Sequence, residues 1–302
     1  MQKFKISHIG RDGEVDLEND LLVRMIANVT KQKVVVVRKE DDADLVIVYP
    51  YVVGSIGFKL RWMLNYVLRK FGVAQEKVDV FRWLVGVGSR KAIFVSHENL
   101  DKPFWWNMLG RFLVKSEIPR LTFWPKTVDP RGARFPYWYN YVAWPQYPRS
   151  QFYKRFGELY DIDALMSPLK EDVKRVNKAV AICSHLDHPR KALLESVRAE
   201  CEVDLYGASG IGFSGGKKDV MSGYKFSFCP ENSAGFGYDT EKIPEAWMAG
   251  CVPVGVFSNP HSDFNKRIAG FSSGNCSEAY GYGLLDERPS LSEVEAYVES
   301  VL

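Results

Sequence analysis

The stretch Tyr224–Ser258, YKFSFCPENSAGFGYDTEKIPEAWMAGCVPVGVFS, decides the fold, because a strand, a polar loop, a helix and a second strand follow one another in it. Alternating aromatic and polar residues predict the first strand over Tyr224–Cys229. Proline is tolerated only in the first turn of a helix, so Pro244 predicts a helix over Thr240–Ala249. An apolar run predicts the second strand over Val252–Phe257. The loop between a strand and a helix is where α/β proteins commonly bind phosphate.

The loop itself collects groups that suit a diphosphate attached to a sugar. Gly237 permits positive φ and lets a ligand approach the backbone closely. Backbone N–H groups and a lysine would take the phosphate charge, while carboxylates would bind hydroxyls. The polar residues of the loop and of the helix start are Glu231, Asn232, Ser233, Thr240, Glu241 and Lys242.

This segment resembles the signature of the α-1,3/1,4-fucosyltransferases, glycosyltransferase family 10, in its soluble bacterial type. The family form reads approximately YKF, ENS, GY, TEKI, AG and a proline in that order. The matching residues are Tyr224, Lys225, Phe226, Glu231, Asn232, Ser233, Gly237, Tyr238, Thr240, Glu241, Lys242, Ile243, Ala249, Gly250 and Pro253.

Other parts of the chain are similar to the same family. Glu98 and Asn99 match a glutamate and asparagine that follow a strand, and Arg134–Trp138 is similar to an R-x-P-aromatic stretch. Arg190 matches an arginine that opens a helix, and Asp204–Gly207 matches an acidic-aromatic-glycine turn. The resemblance covers most of the chain from about residue 93 to residue 265.

The resemblance implies a GT-B fold, in which two Rossmann-like α/β domains face each other across a cleft. The polar stretch at 159–177 predicts the boundary, giving an acceptor domain over 1–165 and a nucleotide-sugar domain over 166–302. Apolar runs and helical periodicity predict the further elements. These are strands at 33–38, 44–49, 92–96, 180–184 and 203–206 and helices at 56–71, 190–200 and 290–302.

The resemblance also implies an inverting transfer of L-fucose from GDP-fucose to a glycan hydroxyl, with α-1,3 linkage to a GlcNAc or Glc unit. Glu98 then corresponds to the base that takes the acceptor proton, and burial against Trp105 or Trp106 would make it a stronger base. Glu241 would bind sugar or ribose hydroxyls or support the developing positive charge. From the residues alone, the cap of the next turn is the favoured role of Glu98.

Donor binding is the role that the resemblance gives to most of the matching polar residues. Arg190 and Lys242 correspond to the phosphate-contacting pair, each at the start of a helix. The alternatives are a surface ion pair for Arg190, an exposed lysine at Lys242, and a turn anchor for Glu231 or Asn232. The remaining expected donor residues are Tyr206, Lys225, Ser233, Gly237, Tyr238 and Thr240.

No D-x-D motif stands where a metal could be held beside the diphosphate, so neither a metal nor another cofactor is expected. Two positions depart from the family pattern. Asp239 replaces a small apolar residue, and Gly255–Phe257 replaces a Tyr-Trp-Gly-like sequence. They leave open a different sugar nucleotide on the same fold, and a sugar- or nucleotide-binding protein without catalysis remains a second alternative.

Composition agrees with a cytoplasmic enzyme. A net charge of +3 is too small to indicate a nucleic-acid partner, and five cysteines without C-x-x-C spacing indicate reduced thiols. No run approaches the roughly 20 apolar residues of a membrane-spanning helix.

The basic and apolar run 58–70, FKLRWMLNYVLRK, predicts either a helix packed on the first sheet, which we favour, or peripheral membrane contact. Aromatic stretches at 104–106 and 137–144 predict either acceptor stacking or core.

Overall fold

The computed structural model describes residues 2–10, 16–70, 79–101, 105–149, 156–172, 174–207, 210–212, 214–256, 259, 261–268 and 278–302. The chain divides into two compact units. The first unit is Met1–Phe135 together with Leu291–Leu302, and the second unit is Pro136–Ser290.

The first unit contains a parallel sheet with strand order β2-β1-β3-β4-β5-β6. Its central strands are fully buried, as expected when helices cover both faces of a parallel sheet. Short 3-10 helices lie at Glu40–Asp42 and Pro50–Gly54. The elements are β1 (Lys3–Ile9), α1 (Leu21–Thr30), β2 (Lys33–Val36), β3 (Leu45–Val48), α2 (Ile56–Lys70), α3 (Val80–Val85), β4 (Ala92–Val95), α4 (Trp105–Lys115), β5 (Arg120–Thr122) and β6 (Ala133–Arg134).

The second unit contains a four-stranded parallel sheet with order β10-β9-β7-β8. A 3-10 helix at Tyr137–Tyr141 precedes its helices and strands. These are α5 (Ile162–Met166), β7 (Val176–Ile182), α6 (Arg190–Arg198), β8 (Val203–Tyr206), α7 (Lys217–Met221), β9 (Tyr224–Phe228), α8 (Lys242–Met248) and β10 (Val252–Val254). Since β8 and β9 lie on opposite sides of β7, the strand order reverses between β7 and β9, where α/β sheets commonly bind ligands.

The limits of the two units differ from the predicted boundary at residue 165. The chain leaves the first unit between Phe135 and Pro136, inside an aromatic, buried stretch, and the polar residues 159–177 belong to the second unit. The last helix, α9 (Ser292–Val301), packs on α1 and β6 of the first unit. Tyr297 of α9 donates its hydroxyl hydrogen to the Arg131 carbonyl at 3.0 Å and accepts the Arg120 N–H at 3.0 Å.

The predicted strands and helices are present with shifted ends. The helix predicted over Thr240–Ala249 begins two residues later, and the strand predicted at 180–184 begins at Val176. Pro244 lies in the first turn of α8, as its missing N–H requires. The sequence patterns did not predict eight of the described elements, namely β1, α1, α3, α4, β5, β6, α5 and α7. Phe257 and Phe71, the predicted ends of two elements, lie outside the described residues.

Most of the aromatic stretch 137–144 forms core rather than a stacking surface, since Trp138, Tyr141 and Trp144 are buried. Phe104 and the side chains of Trp105 and Trp106 lie outside the description. Helix α2 packs Phe58 against the first unit, as favoured from the sequence. Within the described ranges, none of the helices combines the length and the apolar character that crossing a bilayer requires.

Candidate functional site

Three successive helices of the second unit begin with a basic residue. Arg190 is the first residue of α6, Lys217 of α7 and Lys242 of α8. The helices follow β7, β8 and β9, which are neighbouring parallel strands and therefore end at one edge of the sheet. The helix dipole disfavours a cation at this end of a helix by about 0.3–1 kcal/mol. The helix dipole therefore does not account for the three basic residues at these positions.

The three basic side chains lie close enough to the buried thiol of Cys183, directly after β7, to affect its pKa. Burial raises the pKa of Cys183, and the charges of Arg190, Lys242 and Lys217 oppose that rise, with Arg190 the strongest of the three. Arg190 also disfavours the protonated form of Lys242. The two residues that the sequence predicted as a phosphate-contacting pair are thus brought together.

Arg190 has a hydrogen-bond donor that none of the described residues uses. Its Nη1 donates a hydrogen bond to the His185 carbonyl at 3.0 Å, which fixes the guanidinium against the loop after β7. Its buried Nε has no hydrogen-bond partner among the described residues. Buried donors are almost always paired in native proteins, so this one is suited to an incoming acceptor such as a phosphate oxygen.

Lys242 is held by the loop that precedes it. Its Nζ donates to Glu231 Oε2 at 3.0 Å and to Thr240 Oγ1 at 2.9 Å, while Glu241 Oε1 lies 3.8 Å away. Burial acts against the charge on Lys242, but Glu231 and Glu241 outweigh it and raise the pKa of the ammonium above its usual value. Lys242 is therefore a fixed, permanently charged cation, and not the freely exposed lysine of the alternative prediction.

Glu231 is the anchor of this loop. Its side chain is buried and accepts the backbone N–H and the hydroxyl of Thr240, both at 2.8 Å, besides the ammonium of Lys242. All three donor groups come from the eleven residues that follow Glu231. The alternative prediction of a turn anchor describes Glu231 better than direct contact with a sugar hydroxyl.

A second ion pair lies next to the first. Lys217 Nζ donates to the buried Glu245 Oε2 at 2.6 Å, and burial raises the pKa of Glu245 to about 7. Burial acts to raise the pKa of the partly buried Glu241 as well, but Lys242 and Lys217 outweigh it and lower that pKa. Glu241 therefore stays ionised, whereas Glu245 is poised between its two forms near neutral pH.

The tip of the loop contains the other predicted donor residues. Asn232 is exposed and Ser233 partly exposed, so both can meet a ligand, whereas Tyr238 is buried. Gly237 has φ 73° and donates its N–H to Asn259 Oδ1 at 3.1 Å. Gly237 and Tyr238 thus contribute to the shape of the loop.

Asp239 and Gly255, which depart from the family pattern, have structural explanations, while Phe257 of the second departure lies outside the described residues. Asp239 is buried and accepts hydrogen bonds from Asn259 Nδ2 at 3.0 Å and from the Asp263 N–H at 3.1 Å. At Gly255, with φ 67°, a Cβ would lie 2.4 Å from the ring of Phe228, so the ring occupies the space of a side chain.

Tyr206 and Lys225 do not join the cluster of cations. The Tyr206 hydroxyl lies 3.0 Å from that of Tyr224, which donates to Asp204 Oδ2 at 2.9 Å. Lys225 is the second residue of β9, roughly 10 Å before the carboxyl end of that strand at 3.3 Å per residue. Their donor-binding roles stay predictions without support from this geometry.

Glu98 lies in the first unit, three residues after β4. Its Oε1 accepts the hydroxyl hydrogen of Tyr51 at 2.6 Å, and Tyr51 belongs to the 3-10 helix that follows the neighbouring β3. The Glu98 N–H donates to Ser96 Oγ at 3.2 Å, so this loop is closed by Ser96. The carboxylate of Glu98 is thus bound by a residue from another strand end.

Sequence reasoning missed Lys217, Glu245 and Tyr51. For Lys217 a signal existed, since Gly215 and Gly216 precede a lysine at a helix start. Glu245 and Tyr51 gave no comparable signal, because their partners are distant in sequence. Within the described ranges, no group of three His, Cys, Asp or Glu side chains is arranged to hold a metal ion.

Part of the second unit matches a known protein family in sequence. The sequence profile described as the carboxyl-terminal domain of glycosyltransferase family 10 (fucosyltransferase) matches residues 169–273. Alpha-(1,3)-fucosyltransferase FucT of Helicobacter pylori is 40% identical over 53 residues, which cover 17% of this chain and 11% of that protein. The chain thus aligns with only about a tenth of the length of this relative.

Similarity to solved structures extends over both units. A crystal structure of an alpha1,3-fucosyltransferase has a TM-score of 0.60, with 16% identity, covering 99% of this chain and 90% of that chain. Structures described as alpha1,3-fucosyltransferase with GDP and with GDP-fucose each have a TM-score of 0.58 at the same identity and coverage. The predicted GT-B fold class is confirmed by this likeness, which at such low identity concerns the fold alone.

Proposed function

We propose that this protein is a fucosyltransferase that uses GDP-fucose to modify a hydroxyl of a glycan, because residues 169–273 match the profile of the carboxyl-terminal domain of glycosyltransferase family 10. The observation that carries the proposal is the convergence of Arg190, Lys217 and Lys242 at the carboxyl edge of β7, β8 and β9. Two structures of the same fold are described with GDP or GDP-fucose, which supports a nucleotide-sugar donor.

In the proposed reaction, Arg190 and Lys242 bind the diphosphate and stabilise its charge when GDP leaves. Arg190 contributes a buried Nε that has no partner among the described residues. Lys242 uses two of its three N–H donors for Glu231 and Thr240, so a third remains for a phosphate oxygen. Lys217 is a further cation of the same cluster, in addition to the pair predicted from the sequence.

The carboxylate of Glu241 faces the same cluster and stays ionised, because Lys242 and Lys217 favour its charged form. It would bind hydroxyls of the ribose or of the sugar, or stabilise positive charge that develops on the sugar ring. The exposed side chain of Asn232 and the partly exposed Ser233 would contact the nucleotide.

For the acceptor, we propose an inverting transfer to a GlcNAc or Glc unit with α-1,3 linkage, in which Glu98 takes the proton of the attacking hydroxyl. The hydrogen bond from Tyr51 holds one carboxylate oxygen of Glu98 in place. The carboxylate of Glu98, oriented in this way, would accept the acceptor proton. The first unit, which contains Glu98, would accordingly bind the acceptor.

We propose that the reaction needs no divalent metal ion, because the three cations can neutralise the departing diphosphate. A reducing compartment such as the cytoplasm is also part of the proposal. It is supported by Cys183, Cys201, Cys229 and Cys251, which are free thiols among the described residues.

GDP-fucose is preferred over a different donor because Asp239 and Gly255, which depart from the family pattern, have structural explanations. Asp239, which prompted the alternative, is buried and holds Asn259 and Asp263. It is therefore committed to the loop and does not change which groups meet a sugar.

The proposal is tested by transfer assays with GDP-fucose, GDP-mannose and UDP-sugars against a panel of glycans that end in GlcNAc or Glc. Thermal shift with each nucleotide sugar is measured in parallel. The proposal expects stabilisation by GDP-fucose and a fucosylated product. Stabilisation by a UDP-sugar alone would refute the donor, and GDP binding without transfer to any acceptor would favour a non-catalytic binding protein.

A further inference from the structure

Helix α2 of the first unit presents an apolar face to solvent. Ile56, Leu60, Met63 and Leu64 follow the spacing of one helix face and are 77%, 57%, 53% and 50% exposed. Tyr66, 59% exposed, borders this face. We call Ile56, Leu60, Met63, Leu64 and Tyr66 the outer face of α2.

The inward side of the same helix is more polar than a core-facing side usually is. Phe58 and Asn65 are buried there, and Arg61 Nε donates to the Leu84 carbonyl at 2.9 Å. Burial lowers the pKa of Arg61. A helix of a soluble protein normally turns its apolar stripe inward and its polar side outward. In α2 large aliphatic residues point outward instead.

Exposed apolar residues are concentrated in this part of the chain. Of the thirteen large hydrophobic side chains exposed in the described residues, six lie between positions 51 and 66. Single exposed apolar residues are ordinary, but a contiguous patch indicates an interaction surface. The six are Tyr51, Ile56, Leu60, Met63, Leu64 and Tyr66.

Charge distinguishes between the possible partners of this surface. The sequence of α2, IGFKLRWMLNYVLRK, contains four basic residues and no acidic one, and Lys59 is exposed beside Met63 and Tyr66. Arg61 lies on the inward side, so Lys59 is the basic residue placed beside this face, and a second copy of the same face would oppose it with a like charge. A surface of anionic lipid headgroups complements this charge, and helices that combine exposed aliphatic, aromatic and lysine side chains bind such surfaces.

We propose that the outer face of α2 docks on an anionic lipid bilayer, with its aliphatic side chains in the headgroup and acyl boundary. Lys59 then lies at the level of the lipid phosphates, since lysine extends its ammonium toward the polar region while its stem covers apolar surface. This docking is independent of the transferase reaction, because it uses no residue of the cation cluster and does not require Glu98.

The test is vesicle flotation of the purified full chain with phosphatidylcholine vesicles and with vesicles that also contain phosphatidylglycerol. The protein is expected to float with the anionic vesicles and to bind them at least about tenfold more weakly at high ionic strength. Leu60→Gln/Leu64→Gln is expected to lose binding by a similar factor or more. Lys59→Gln is expected to weaken binding to the anionic vesicles with little effect on neutral ones.

Val114→Gln is the matched control, because Val114 is also an exposed apolar residue on a helix of the first unit. It should bind vesicles as the unsubstituted protein does, and GDP binding of each variant checks that it is folded. The proposal is overturned if the unsubstituted protein does not bind anionic vesicles, or if Leu60→Gln/Leu64→Gln binds them equally. It is also overturned if that double variant instead abolishes a dimer seen by sedimentation, because the face would then join two copies of the chain.

Discussion

Lys242 Nζ lies 3.0 Å from Glu231 Oε2, across the loop that joins β9 to α8. The exposed fractions of the two side chains are 21% for Lys242 and 4% for Glu231, so the pair is largely buried. Because Glu231 also binds the backbone N–H of Thr240, the position of the lysine is tied to the path of the loop. An anion that binds Lys242 thus meets a cation that is already oriented, which lowers the entropic cost of binding.

Thr240→Val should loosen this anchor. The substitution keeps the volume of the side chain but removes the hydroxyl that donates to Glu231, and it leaves a buried carboxylate short of one donor. The free energy of unfolding is expected to fall by about 1–3 kcal/mol, measured by urea denaturation.

Two variants check the cause of that loss. Thr240→Ser should keep most of the stability, since it retains the hydroxyl. Thr30→Val removes a hydroxyl whose bond is to the Ile26 carbonyl within α1, and it should cost less because no charged partner is left behind. Equal losses at Thr240 and Thr30 would argue against the anchor.

Glu245 should make stability depend on pH. Burial raises its pKa from the usual 4.5 to about 7, so the native state holds a proton that the unfolded state releases. The resulting stabilisation is fully present below about pH 4.5 and is lost as pH rises through about 7. Relative to Glu245→Gln, the native protein should lose up to about 3 kcal/mol between about pH 5 and pH 8.

Urea denaturation of both proteins across that pH range measures the difference. Glu245→Gln keeps an oxygen that can accept the hydrogen bond of Lys217 but cannot ionise. Asp219→Asn in α7 is a control that alters a carboxylate on the exposed side of the same unit. A constant difference between the native protein and Glu245→Gln at every pH would show that Glu245 ionises normally.

Glu98→Gln should separate catalysis from donor binding. It keeps the shape of the side chain and removes the base, so transfer should fall by about 10²–10⁴-fold while GDP affinity stays within about twofold. Transfer rates and calorimetric GDP titrations of the same preparation measure both quantities. Glu117→Gln, which alters an exposed glutamate of the first unit, should change neither. A fully active Glu98→Gln protein would remove Glu98 from the role of base.

Local signals in the sequence were sufficient for most of the second sheet. The apolar runs of β7, β9 and β10 are bounded by proline, glycine or charge, and Pro244 fixes where α8 can start. Strand β1 alternates polar and apolar residues over Lys3–Ser7, the same kind of signal that predicts β9, so this strand was missed although a local signal was present.

The boundary between the units, the position of α9 and the place of Lys217 depend on long-range packing, which local sequence patterns do not reveal. The polar stretch 159–177 predicts a boundary at residue 165, whereas the chain changes unit at Phe135 and Pro136 among buried aromatic residues. The return of α9 to the first unit depends on contacts of Tyr297 with residues more than 150 positions earlier. Similarly, Lys217 lies near Arg190 and Lys242 because β8 pairs with β7. This pairing cannot be predicted from the residues of α7 alone.

The proposed metal-independent binding of the diphosphate depends most on Arg190 and Lys242. Calorimetric titration with GDP in the presence of EDTA tests the role of these two residues most directly. Arg190→Ala is compared with Lys191→Ala, the next and exposed residue of α6, and Lys242→Ala with the exposed Lys174→Ala. Because Lys242→Ala leaves Glu231 buried without its partner, Lys242→Ala/Glu231→Gln is measured as well.

The account predicts that the native protein binds GDP in EDTA and that Arg190→Ala and both Lys242 variants bind it about 10–100-fold more weakly. The two control variants should stay within about twofold of the native protein. Binding that requires added magnesium or manganese, or that is unchanged in Arg190→Ala and in the Lys242→Ala/Glu231→Gln protein, would contradict the account.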